Sequence, residues 1–318
     1  MTIGTAVKNK KSSLLRSSLE LFAVLSVIVV SFIFAKEIKN GVLFGMRFGA
    51  LEVISAVFPF FILADYMYSH QVLSCSFLKK PFTRLFGLSE RFLRTFILAS
   101  LFGFPIGAKC CAEEYKLGAS EDEIKTAVYI SSNPSLAFCV FAVGMGCLSS
   151  LALGFLLYCS MLSATAFAGL IFKRNHYKSE NPSEISRQSF DLSFSIRSAG
   201  FSSLSVCSFI TFFSAVISLV ECFIKSPLIC AFLSCFFEIG NASARASILP
   251  IKMIEKIPLL GFGLGFSGLS VILQAKAALP PQIKLKGFTL FKLIEGCVCA
   301  LISLALFSLF SKIGSLLA

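Results

Sequence analysis

Glu238 has the setting that most demands a chemical explanation: Phe236, Phe237 and Ile239 flank it in an otherwise apolar stretch. A carboxylate there must be protonated, paired, or in touch with a water-filled cavity, because burial penalises its charged form. It is the first candidate for binding a solute or carrying a coupling proton. The structural alternative is a pair with Arg245, seven residues on and on the same face of a helix that continues. Asn133, Ser135, Asn241, Ser267, Ser270 and Gln274 are neutral hydrogen-bonding residues near two interruptions of the apolar pattern. Such a set suits a polar, uncharged or zwitterionic solute better than a bare ion. Ser also packs between membrane helices for purely structural reasons, so clustering at both interruptions carries the weight. Lys109 either neutralises an anionic group or reaches the lipid headgroups. Gly103, Pro105, Gly107, Pro134, Gly240, Gly265 and Gly268 shape the backbone.

Other chemistries find little support. The twelve cysteines include no C-x-x-C, and most lie within apolar stretches, where the thiol acts as a small hydrophobe. His70 and His176 are the only histidines, and neither has a ligand set nearby. With no Ser–His pair, paired intramembrane aspartates or His-rich cluster, no catalytic or metal residue is assigned. The chain is read as a non-enzyme without a cofactor; a coupling ion, H⁺ or Na⁺, is left open.

These residues need elements to position them, and composition says what kind. Hydrophobic residues make up 56% of the 318-residue chain and charged residues 14%, and the mean hydropathy is +0.84. A water-soluble domain is nearer 25% charged, so the lipid bilayer is the expected partner for much of the surface. The net charge of +12 sits in short connections, as the positive-inside bias requires. No basic patch carries interleaved aromatics, which argues against nucleic acid. Homo-oligomerisation is compatible with the sequence.

The expected fold is all-α: a polytopic helical membrane protein with two inverted-topology repeats, each holding a re-entrant hairpin and a broken transmembrane helix. Residues 1–40 form a basic segment and signal-anchor helix with a cytoplasmic N-terminus. Residues 41–173 form the first repeat, 174–193 a cytoplasmic linker, and 194–318 the second. In the first repeat, eleven mostly apolar residues, 92–102, run into Gly103-Phe104-Pro105-Ile106-Gly107, too short to span and suited to a hairpin tip. The return limb is expected over 108–117. Ser120 and Glu123 then form a capping box that starts a helix running to about Cys147 and opened at Ser131–Ser135 by Pro134. In the second, residues 227–248 are broken at Glu238–Ser243, and residues 254–279 are opened at Gly261–Gly268. Gly107 to Asn133 is 26 residues and Gly240 to Ser267 is 27, so a shift of about 133 superimposes tip and break together. Counting crossings sends the two hairpins in from opposite sides, with Lys276, Lys284 and Lys286 inside, an arrangement that brings broken helices together at the membrane midplane.

At these residues a resemblance emerges. Gly103 to Lys109, then Ser132-Asn133-Pro134, then Gly268-Leu269-Ser270-Val271 with Gln274 resemble the sporulation integral membrane protein YlbJ family, over residues 41–310. That family belongs to the nucleoside recognition or Gate-domain proteins of endospore-forming Firmicutes. Gly263 to Gln274 is more distantly similar to the second broken helix of concentrative nucleoside transporters. The resemblance implies a role in endospore formation, in a forespore or mother-cell membrane, and a nucleoside-like or other small polar solute moved with an ion. The sequence departs from the family where Ile272 stands in place of a His, and its connection between halves is brief. The competing expectation is a non-transporting scaffold or sensor needed for sporulation.

Overall fold

The structure is a computed structural model that describes residues 3–70, 76–173 and 190–317. The expected linker lies mostly outside the described residues, as do the side chains of the N-terminal lysines and of Pro105. Among the described residues the chain is entirely helical. Five helices among those residues are long and apolar enough to cross a membrane: Ala35–Ser69, Leu151–Ile171, Leu192–Phe223, Met253–Ala278 and Phe288–Lys312. This is the pattern of a multi-pass integral membrane protein. Large apolar side chains such as Phe155, Phe201 and Leu301 are exposed along these helices, as a lipid-facing surface requires.

α1 (Ile3–Ile33) leads into α2 (Ala35–Phe48), which passes through one π-helical segment, Gly49–Ile54, into α3 (Ser55–Ser69). α4 (Ser76–Phe86) precedes two short helices, α5 (Arg91–Phe102) and α6 (Phe104–Lys116), which pack on each other across Gly103. Gly103 takes φ +95°, a value that L side chains rarely adopt. The return limb thus begins at Phe104, four residues before the sequence pattern suggests, because a single glycine makes the reversal. Opposite the turn, Arg91 holds the limbs together. Its Nη2 lies 2.9 Å from Glu114 Oε2 and also donates to the Glu114 and Leu117 carbonyls.

α7 (Glu121–Ser131) starts at the expected capping box, with Glu123 N–H donating to Ser120 Oγ and Ser120 N–H to Glu123 Oε2. It stops at Ser131, and after the break a π-helical segment, Phe138–Cys147, completes this stretch. α8 (Leu151–Ile171) follows. α9 (Leu192–Phe223) begins slightly earlier than expected because Asp191 accepts from the Ser193 and Phe194 N–H groups. α10 (Pro227–Phe237) and α11 (Ile239–Ile248) form the second packed pair of short helices, separated by Glu238 alone.

α12 (Met253–Phe266) and α13 (Gly268–Ala278) are separated only by Ser267, in the left-handed conformation at φ 64°. The break is therefore narrower than the glycine run that suggested it. Gly261 and Gly265 are helical, and they let α12 approach α14 (Phe288–Leu317) closely. A Cβ at Gly265 would stand 2.8 Å from the Glu295 carbonyl oxygen. The segment 253–278 is the most enclosed of the five candidate spans.

The helix ends gather into two groups. Tyr129 donates to the Lys286 carbonyl, and Lys173 to that of Arg84. Elsewhere, Phe34 packs at a tilt against Phe223, and Glu221 holds Arg245.

Candidate functional site

A cavity lies where the two short-helix pairs meet the two helix breaks. Gly103 and Phe104 come from the first turn, Pro134 and Ser135 from the first break, Glu238 and Ile239 from the second turn, and Ser270, Val271 and Gln274 from α13. Val53, Val57, Phe61, Phe138, Val206 and Ile210 contribute an apolar wall. Its volume is about 30 Å³. Sites for drug-sized ligands run to roughly 300 Å³ or more, so there is room for water and none for a nucleoside. A solute of that size requires the two turns to move apart.

Of the residues singled out from sequence, Ser135, Glu238, Ser270 and Gln274 line this cavity, with Gly103 and Pro134 shaping it. Glu238 is 4% exposed and caps α11. Its Oε1 accepts from Gly240 N–H at 2.8 Å, and its Oε2 from Asn241 N–H at 2.7 Å and Asn241 Nδ2 at 2.9 Å. A helix N-terminus stabilises a carboxylate through these donors and through its dipole. Three bonds leave the carboxylate one of its roughly four acceptor positions for a solute.

The expected alternative, a direct Glu238–Arg245 pair, is not what forms. The helix does not continue through Glu238, so the seven-residue spacing does not align the side chains. Arg245 makes a two-point contact with Glu221 of α9, at 2.7 and 3.1 Å, and donates to Asn241 Oδ1. The donors facing the cavity are modest. Ser135 Oγ accepts from Phe138 N–H, and Ser270 Oγ accepts from Gln274 Nε2 at 2.9 Å. Both hydroxyls keep a proton to donate. With one carboxylate and no cationic side chain in its lining, the cavity suits hydrogen-bond donors and disfavours phosphate esters.

Asn133, Asn241 and Ser267 do not line the cavity. Asn241 is held by Glu238, Ser214, Arg245 and the Ile210 carbonyl. Ser267 Oγ donates to the Leu264 carbonyl of α12. Lys109 does not line the cavity: its Nζ donates to Ser198 Oγ at 2.6 Å and lies 3.9 Å from Asp65 Oδ1. Gly107 and Gly240 are packing positions. A Cβ at Gly107 would fall 2.1 Å from the Ser131 carbonyl oxygen.

Asn133 belongs to a second constellation that the sequence reading did not identify. Lys292 and Glu295 of α14 are both 0% exposed and lie 2.7 Å apart, Nζ to Oε2. Lys292 Nζ also donates to Asn133 Oδ1 at 2.7 Å and to the Ser132 carbonyl at 3.2 Å. Thr165 of α8 donates to Glu295 Oε1 and accepts from Asn133 Nδ2 at 2.9 Å. All three ammonium protons are thereby engaged. A Lys and a Glu three residues apart near the start of a span read as interfacial; their being ringed by apolar residues was the available signal.

Ile272, where the resemblance breaks, is buried among Phe266, Ala275 and Phe291. The chain matches no protein-family model, no curated protein and no solved structure.

Proposed function

We propose that this is a multi-pass membrane protein built as two inverted repeats around a midplane site, which binds and moves a small, polar, uncharged or zwitterionic solute. The observation that carries the reading is the composition of the cavity wall, since both turns and both broken segments supply it. Four segments far apart in sequence, and two pairs of them related by one shift, converge on one polar spot inside an apolar protein. That is how inverted-repeat transporters place their sites.

The turn-to-break contacts add support. A Cβ on Gly103 would stand 3.1 Å from Ser135 Cβ, and one on Gly268 would stand 2.7 Å from the Phe237 carbonyl oxygen. The shift of about 133 carries Ser135 onto Gly268 and Gly103 onto Phe236, beside Phe237. Each short-helix pair thus presses its turn against the break of its own half. In this reading α5–α6 and α10–α11 are re-entrant hairpins entering from opposite faces, with the N-terminus cytoplasmic. The basic residues of the 76–94 connection and of 276–286 then lie inside, in keeping with the positive-inside bias.

A nucleoside-like solute and a role in endospore formation rest on the motif resemblance at Gly103–Lys109, Ser132–Pro134 and Gly268–Gln274. The second reading, a scaffold or sensor that keeps the fold without transport, is favoured by the small cavity volume. Thermal stability of the purified protein across nucleosides, nucleotides and polar metabolites separates the two. A binding solute raises the melting temperature by mass action. The transporter reading expects a nucleoside-sized neutral ligand to do so in wild type and not in Glu238→Gln, with the corresponding nucleotide inert. No stabilisation by any solute, together with unchanged spore yield in Glu238→Gln, would leave the scaffold reading.

A further inference from the structure

The Lys292 constellation is a cation cage rather than a simple ion pair. Two of the three oxygens around its ammonium group are neutral, the Ser132 carbonyl and Asn133 Oδ1, and only Glu295 Oε2 carries charge. A backbone carbonyl, an amide oxygen and a carboxylate are the ligand types that hard cations take. The Ser132 carbonyl is available because Pro134 interrupts the helix there. α7 also ends at Ser131, so the negative end of its dipole points at the same place. Thr165 orients the cage from behind by bonding both Asn133 and Glu295. The oxygens together carry one negative charge, matching one monovalent cation, whereas divalent ions draw on more carboxylates.

We propose that the Lys292 ammonium is a tethered cation, which permanently fills a monovalent-cation site built at the first helix break. The chain's own side chain thus holds the position a free coupling ion would take, and no Na⁺ binds at this break. Because the oxygens stand 2.7–3.2 Å from the nitrogen, and an ammonium group is close to K⁺ in size, the uncovered site takes K⁺ in preference to the smaller Na⁺. The proposal borrows from the transport reading only the break at Ser132–Pro134. It is read out by stability, so the absence of a transported solute would leave it untouched.

The test compares full-length wild type, Lys292→Ala and Lys292→Ala/Glu295→Gln, purified in detergent and melted in KCl, NaCl and choline chloride at equal ionic strength. Wild type is expected to melt at one temperature in all three. Lys292→Ala is expected to gain about 3 °C or more in KCl over choline, saturably, with a smaller gain in NaCl. The double variant, which lacks the charged ligand, loses that gain. A Lys292→Ala protein that is indifferent to the salt, or that cannot be recovered in any of them, overturns the proposal. So does a K⁺ response of equal size in wild type or in the double variant.

Discussion

The two halves solve the same problem, an interrupted helix inside an apolar protein, by opposite means. The first break spans several residues around Pro134, and a fully buried cation from α14 occupies the freed oxygens. The second break is two positive-φ residues, Ser267 and Gly268, with no charge on them; a charge sits instead on the adjoining turn, as the Glu238 carboxylate over the α11 N-terminus. A cation at a helix C-terminus and an anion at a helix N-terminus each complement the local dipole. The difference is accessibility. Lys292 has all its donors satisfied and does not line the cavity, while Glu238 lines it with an acceptor position to spare. In the proposed reading the first half is thus locked, and the second half carries the residue that answers a solute.

Substitutions can break or sharpen this contrast. Lys292→Met leaves the Glu295 carboxylate buried without its counter-ion, and the expected loss is about 3–5 kcal/mol, measured as reduced thermal stability in detergent. Unlike Lys292→Ala, it fills the site and gains nothing from K⁺. Adding Glu295→Gln to it should recover much of the loss, and a double variant no better than the single would argue against a locked pair.

Gly107 and Gly240, equivalent under the shift, should differ next. Gly107→Ala drives a methyl group into the Ser131 carbonyl at 2.1 Å, whereas Gly240→Ala meets the Phe48 ring at 2.8 Å, a side chain that can move. We expect about 3 kcal/mol for the first and about 1 kcal/mol for the second. Equal costs would show that the two turns are equally rigid.

Glu238→Gln keeps one acceptor for the α11 N-terminus and loses the charge, for an expected cost of about 1–2 kcal/mol. Its effect on solute-induced stabilisation should be complete. Gln274→Ala should be the mildest, within about 0.5 kcal/mol of wild type, while weakening the solute response by about tenfold through loss of one polar contact.

The interruptions were legible because proline, glycine, and Ser/Asn clusters mark backbone breaks locally. Gly103, Pro134 and Glu238 each stand at or next to one, and the Ser120–Glu123 cap marks where α7 begins. The second break was overestimated because glycine has two uses: Gly261 and Gly265 serve helix packing, and only Ser267 and Gly268 take positive φ. The contacts of Asn133 were not legible for a different reason. Its partner Lys292 is 159 residues away, and no local pattern announces a contact of that range. Ser135, Glu238, Ser270 and Gln274, singled out for polarity near a break, line the cavity, while the sealing of Asn133 and Asn241 depended on neighbours from α8, α9 and α14.

The central claim, that the halves are inverted copies meeting at one site, is tested most directly by the sidedness of the two short-helix pairs. Single cysteines replacing Lys116, at the open end of α5–α6, and Lys252, beyond α11, would be placed in a cysteine-free background. An impermeant maleimide is then applied to intact cells and to permeabilised ones. The account predicts that Lys252→Cys is labelled in intact cells and Lys116→Cys only after permeabilisation. Labelling of both from the same side would contradict it.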